Sequence, residues 1–160
     1  GIGNTTTSSA VASVLLNQPV QAMTGRGAGL SDAGLRRKLA AIERGIAVNH
    51  PDAADPLGVL AALGGFDIAG LCGVFLGGAL ENLPIVMDGF ISGVAALCAV
   101  RLCPAAGKAV FASHASSEPA AAMLFGAVLY AETPSILSIC GLCFTIGTVI
   151  LLNYERSLII

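Results

Sequence analysis

The chain has 160 residues and a formal net charge of −2, with 11% charged and 55% hydrophobic residues. That length suits one domain with a sizeable core, and a charged fraction far below the roughly 25% of ordinary soluble domains leaves an α/β protein with heavily buried elements or a membrane protein. With no basic excess and only 5% aromatic residues, the chain offers neither a phosphate-tracking stripe nor a stacking platform, which argues against nucleic acid as a partner.

The first stretch, Gly1-Ile2-Gly3-Asn4-Thr5-Thr6-Thr7-Ser8-Ser9, runs into alanine- and valine-rich sequence. Its glycines permit a sharp turn and a close backbone approach, and its Asn and Thr side chains can cap a following helix. The stretch therefore reads either as a loop with its cap or as an anion site at a helix start. A closely packed helix of small residues is expected over residues 5–17, with Pro19 preventing its continuation. Residues 20–24 form a short connector or strand. They lead into Gly25-Arg26-Gly27-Ala28-Gly29, where alternate glycines again bring backbone amides near a bound group.

Ser31 is a good N-cap, Asp32 sits in the first turn, and Leu35, Leu39, Ile42 and Ile46 recur at helical spacing. Arg36, Arg37 and Arg44 belong to the solvated side of this helix. Lys38 is either one more surface cation or an ammonium beside a nest of amides, an arrangement suited to a phosphate. Asp55 is placed to cap a helix whose first residue is Pro56, and His50 reads as an exposed loop residue.

Residues 66–80 are apolar around nearly the whole circumference, with Gly70, Gly73 and Gly77 on one side. The spacing predicts a buried helix packed backbone to backbone; the stretch is too short for a membrane dimer. Residues 84–87 and 108–112 read as strands separated by an apolar helix over 90–102, an order that implies a right-handed crossover and parallel pairing. Ligands of open α/β sheets sit beyond the carboxyl ends of the strands, where Asp88, Ser113, His114 and Ser116 fall. The fold expected is α/β: a Rossmann-like parallel sheet flanked by helices, an incomplete fragment of a larger domain.

The five cysteines, at 72, 98, 103, 140 and 143, lie in apolar surroundings. They read as buried thiols in a reducing compartment, the cytoplasm by default. Residues 136–152 form an uncharged apolar run at the lower edge of a membrane span. A divergent C-terminus is favoured over an anchor there. The Cys140-Gly141-Leu142-Cys143 pair lacks the surroundings of a redox dithiol.

Taken in order, Gly1 to Thr6, Thr24 to Gly29, Gly64 to Gly70, Met87-Asp88-Gly89-Phe90 and Ala112-Ser113-His114 closely resemble the nicotinate-nucleotide:dimethylbenzimidazole phosphoribosyltransferase family, which makes the lower-ligand nucleotide of cobalamin. The resemblance covers residues 1–125, the second part of that family's chain, and leaves 126–160 as a divergent apolar tail. It implies transfer of the phosphoribosyl group of nicotinate mononucleotide to dimethylbenzimidazole by a homodimer, with no cofactor and no metal. The implied substrate-binding set is Gly1, Ile2, Gly3, Asn4, Thr5, Gly27, Lys38, Asp88, Gly89 and Ser116. Lys38 matches the family's phosphate-reaching lysine and Ser116 the serine near the nicotinate carboxylate; Asp88 is either a cap or an orienter of ribose or base.

The family's general base is a glutamate in a Gly-Glu-Gly-Thr-Gly-Ala motif, and Leu142 stands about where it belongs. A second carboxylate of the family precedes the residue matched by Gly1. No catalytic residue is therefore assigned, Asp88 and His114 being weak substitutes, and the chain by itself is expected to be inactive. The alternatives are an inactive nucleotide-phosphate-binding module and a small membrane-associated protein built on residues 136–152.

Overall fold

In the computed structural model the described residues are 2–113 and 120–129. Expectations placed on Gly1, His114, Ser116, Leu142, the Cys140–Cys143 pair and the run 136–152 lie outside them.

The chain forms α1 (Asn4–Leu15), α2 (Val20–Met23), α3 (Asp32–Asn49), α4 (Pro56–Leu63), α5 (Phe66–Leu80), β1 (Ile85–Met87), α6 (Phe90–Leu102), a 3-10 segment (Pro104–Ala109), β2 (Val110–Ala112) and α7 (Ala121–Leu129). The fold is mostly helical. Its sheet, among the described residues, has two parallel strands in the register Ile85↔Val110, Val86↔Phe111 and Met87↔Ala112.

Two slim helices form the centre. In α6 every residue from Gly93 to Val100 is buried, and in α1 the buried set is Ser8 to Ser13 plus Leu15. A helix enclosed on most sides must carry small side chains if its neighbours are to reach interior packing density. The Ala, Ser, Val and Gly content meets that demand. α1 packs against α2, α3, α4 and α6, while α6 packs also against α4, α5, α7 and β1. The Ser8 and Ser13 hydroxyls are buried with no hydrogen-bond partner among the described residues, so these serines serve α1 mainly by their size.

The caps follow local chemistry in two places. The Ser31 hydroxyl accepts from Gly34 N at 3.2 Å and the Asp55 carboxylate from Gly58 N at 3.0 Å, closing the starts of α3 and α4. Arg36, Arg37 and Arg44 are exposed as expected, and His50 ends α3 in the left-handed region with φ 44°. Among the described residues no helix is long and apolar enough to cross a membrane.

Several expectations need correction. Residues 20–23 form one turn of helix where a connector or strand was expected, the Pro19 carbonyl accepting from Ala22 N and Met23 N. The first helix ends at Leu15, and Asn17 turns the chain with φ 50°. In α5 the buried face is Ile68, Cys72, Phe75 and Gly78, whereas a Cβ at Gly70, Gly73 or Gly77 meets no atom within 4 Å. The glycine stripe thus faces outward, with Phe66 99% exposed at its start. Cys103 is exposed where a buried thiol was expected, since it follows α6 at the protein surface; Cys72 and Cys98 are buried.

Two measurements check this packing. A methyl at Gly78 would run into the Ile85 side chain and come within 3.2 Å of Leu83 O, so Gly78→Ala should destabilise by about 1–3 kcal/mol. Gly70→Ala should instead stabilise by about 0.5–1 kcal/mol, because the space is open and alanine costs less helix entropy. Urea unfolding of the two variants should move in opposite directions.

The thiols supply the second check. Burial disfavours the thiolate, raising the Cys72 pKa and pushing Cys98 up to about 12. At pH 8 both remain protonated and enclosed. Iodoacetamide should therefore modify Cys103 and spare Cys72 and Cys98 until the protein is unfolded, as read by peptide mass spectrometry.

Candidate functional site

α1 begins on Gly3, whose φ of 83° lies in the left-handed region. Asn4 is the first helical residue and the start carries no side-chain cap, contrary to the expected Asn or Thr cap. The glycine makes the turn, so the side chains are left for other work. The first amides of a helix have no intrahelical acceptor and carry the positive end of its dipole.

Beside this start lies the side chain of Lys38, only 6% exposed. Its Nζ donates to Thr5 Oγ1 at 3.0 Å and to Gly25 O at 2.9 Å. One ammonium thus joins α3, the α1 start and the turn after Thr24. Gly27 completes the cluster: its φ is 54°, and a Cβ there would lie 3.0 Å from Thr5 Oγ1 and 3.8 Å from Lys38 Nζ. Arg26 braces the same turn, its guanidinium donating to Leu30 O at 2.8 Å and to the Asp32 carboxylate at 2.5 Å.

The second side of the site comes from the β1–α6 junction. β1 ends at Met87, Asp88 and Gly89 make the turn, and α6 starts at Phe90. The Ser92 hydroxyl accepts from Asp88 N at 3.0 Å and Gly89 N at 2.9 Å, the reach of an N3 side chain back to the amides that precede its helix. Ser113, just past β2, donates its amide to Met87 O at 3.0 Å.

A groove of about 700 Å³ joins the two sides. Asn4 and Thr5 line it from α1, Asp88, Gly89 and Ser92 from the junction, and Leu71, Val74 and Phe75 from α5. The starts of α1 and α6 therefore open into one space. Donors for an anion, a carboxylate for hydroxyl groups and an apolar wall for a flat ring are all present within it. Among the described residues no group of three or more His, Cys, Asp or Glu side chains is placed to hold a metal ion.

Of the residues expected from sequence, Asn4, Thr5, Asp88 and Gly89 line the groove, and Gly27 and Lys38 meet at Thr5 behind it. Ile2 is fully exposed. Ser92 and Ser113 were not singled out as structural partners of the turn. The signal for Ser92 was its place three residues after Gly89, the spacing of a side chain that reaches back to a helix start.

A family model and several known proteins match this chain. A family model described as phosphoribosyltransferase matches residues 1–134. A nicotinate-nucleotide–dimethylbenzimidazole phosphoribosyltransferase of Desulforudis audaxviator is 57% identical over 124 residues, which is 78% of this chain and 35% of that one. The protein of the same name from Acetivibrio thermocellus is 55% identical over 119 residues, 74% of this chain and 34% of the other. The crystal structure of CobT from Thermus thermophilus superposes with a TM-score of 0.74 at 39% identity, covering 79% of this chain and 38% of that one. The chain spans about a third of the length of the curated relatives it matches.

Gly27 gives the site a direct test. Alanine there must adopt φ 54° and press on the Thr5 hydroxyl. Gly27→Ala should lower stability by about 1–2 kcal/mol, the usual cost of the left-handed region for an L-residue. It should also speed amide exchange at the start of α1, measured by hydrogen–deuterium mass spectrometry, while the core of α6 stays protected.

Proposed function

The chain belongs to the phosphoribosyltransferase family, and from that premise we propose that it is the phosphate- and ribose-holding part of an enzyme that moves the phosphoribosyl group of nicotinate mononucleotide to 5,6-dimethylbenzimidazole. The products are α-ribazole 5′-phosphate and nicotinate, in cobalamin biosynthesis. The observation that carries this reading is the buried Lys38 ammonium bound to Thr5 Oγ1 at the start of α1. A cation, a left-handed glycine and the start of a helix around one point suit a phosphate dianion.

In the proposed arrangement Gly1, Ile2, Gly3, Asn4, Thr5, Gly27 and Lys38 surround the phosphate. Asp88 and Gly89 hold the ribose, Ser116 meets the nicotinate carboxylate, and Leu71, Val74 and Phe75 wall the rings. A benzimidazole nitrogen then forms a bond to the anomeric carbon as the bond to nicotinate breaks, its electron pair leaving on the pyridine nitrogen. Attack from the opposite face turns the β linkage into α. Positive charge grows on the sugar, and a carboxylate must accept the proton of the attacking ring. No residue of this chain is assigned as that base, since Leu142 stands about where the family glutamate is expected.

The parallel pair β1–β2 is read as part of a larger Rossmann-like sheet. The free thiols Cys72 and Cys98 favour a reducing compartment, the cytoplasm. A homodimer is proposed because Phe66 and Leu80 stand exposed on the outward side of α5.

Lys38→Ala should weaken binding of nicotinate mononucleotide by about 1.5–3 kcal/mol, the range for hydrogen bonds to a charged group. Calorimetry on proteins with matched circular dichroism measures it, and equal affinities would remove Lys38 from the phosphate site. With dimethylbenzimidazole added, the chain by itself should form no ribazole phosphate; if it does, Asp88 and His114 become the residues to mutate for the base. Sedimentation velocity checks the assembly: Phe66→Asp should shift a dimer toward monomer, and a wild-type protein that sediments as a monomer at all concentrations contradicts the proposal.

A further inference from the structure

The Asp88–Gly89 turn is held by two side chains from different elements. Ser92 Oγ accepts from Asp88 N at 3.0 Å and from Gly89 N at 2.9 Å, and donates to Gly89 O at 3.0 Å. Ser113 lies on the other flank, 26 residues along the chain from Met87. Its amide donates to Met87 O at 3.0 Å, and its hydroxyl lies 3.1 Å from Met87 O and 3.2 Å from Asp88 O. Each main-chain oxygen and nitrogen from Met87 O to Gly89 O therefore has a partner on Ser92 or Ser113. The reach of Ser92 back to Gly89 N is the N3 half of a capping box, and the bonds from Ser113 go beyond it.

The turn matters because of where it faces. Asp88 and Gly89 line the groove together with Asn4 and Thr5. A carboxylate is acceptor-only, so a pair of sugar hydroxyls satisfies it best when its backbone cannot shift.

Resting on the function proposed above, we infer that Ser92 and Ser113 are positioning residues that lock the Asp88–Gly89 turn, and through it direct Asp88 to the ribose hydroxyls of the bound nucleotide. Ser92 fixes the amides of the turn. Ser113 fixes its carbonyls, tying the end of β2 to the end of β1. The phosphate contacts around Thr5 and Lys38 are independent of both serines.

Calorimetry with two probes, nicotinate mononucleotide and inorganic phosphate, separates the roles. Ser92→Ala and Ser113→Ala should each weaken nucleotide binding about three- to tenfold, the loss of one or two hydrogen bonds, and leave phosphate binding unchanged. Ser92→Thr, which keeps the hydroxyl, should restore most of the affinity. In an Asp88→Ala background the Ser92→Ala and Ser113→Ala changes should have no further effect, as a double-mutant cycle requires of groups acting through one another.

Nucleotide affinity unchanged in both serine variants overturns the inference. So does equal loss of phosphate and nucleotide, which would make the serines supports of the whole fold, and so does an undiminished serine effect without Asp88. The Lys38→Ala protein is the control for the underlying reading: if it binds both probes like wild type, the phosphate site is wrong even where the serine results hold. A wild-type chain that binds neither probe sinks both.

Discussion

α1 and α6 must be slim, because each is enclosed by neighbours on most of its circumference, and the remaining elements take their places from that constraint. Ala95, Ala96 and Ala99 present no bulk on α6, and Ser8, Ser9 and Ala12 present none on α1. The two axes can therefore come close, and α1 packs directly on α6. The result at one end is a groove fed by two helix starts. An inserted large side chain in either helix would part the two starts and spread the groove, so the small residues serve the site as well as the core.

Much of this was legible in the chain. Ser31 and Asp55 announced their helices, Pro84 to Phe90 announced a strand followed by a tight turn, and the crossover through residues 90–102 dictated parallel pairing. What could not be read was which side of an apolar helix faces the interior. α5 is hydrophobic all round, so periodicity carries no direction, and the neighbours of Ile68 and Phe75 alone decide it. The region around Pro19 failed for a different reason: four residues are too few for either period to show itself.

The site divides in the same way. Gly3, Asn4, Thr5 and Lys38 stand out in one dimension, as a glycine loop before a helix and a lysine matched to the family's. The meeting of Lys38 Nζ with Thr5 Oγ1 and Gly25 O spans three elements and needs the fold. The family relationship supplied the positions, and the structure supplied the partners. Val86 at 62% and Phe111 at 53% exposure, paired on the neighbouring strands, are apolar residues left facing outward.

The brevity of β1 and β2 has a dynamic consequence. Two strands of three residues cannot persist as a ribbon in water. They exist because α6, packed against β1 and joined to it through the Asp88–Gly89 turn, holds their ends in place. The strand pair and the helix are then one cooperative unit, opening together in a single sub-global event instead of fraying strand by strand. The carboxyl-end rim of the groove inherits the lifetime of that unit, and the α1 rim, packed on α6 as well as on α2, α3 and α4, is tied to the same core. A ligand that touched both rims would add a bridge across the groove to the packing that already joins α1 to α6.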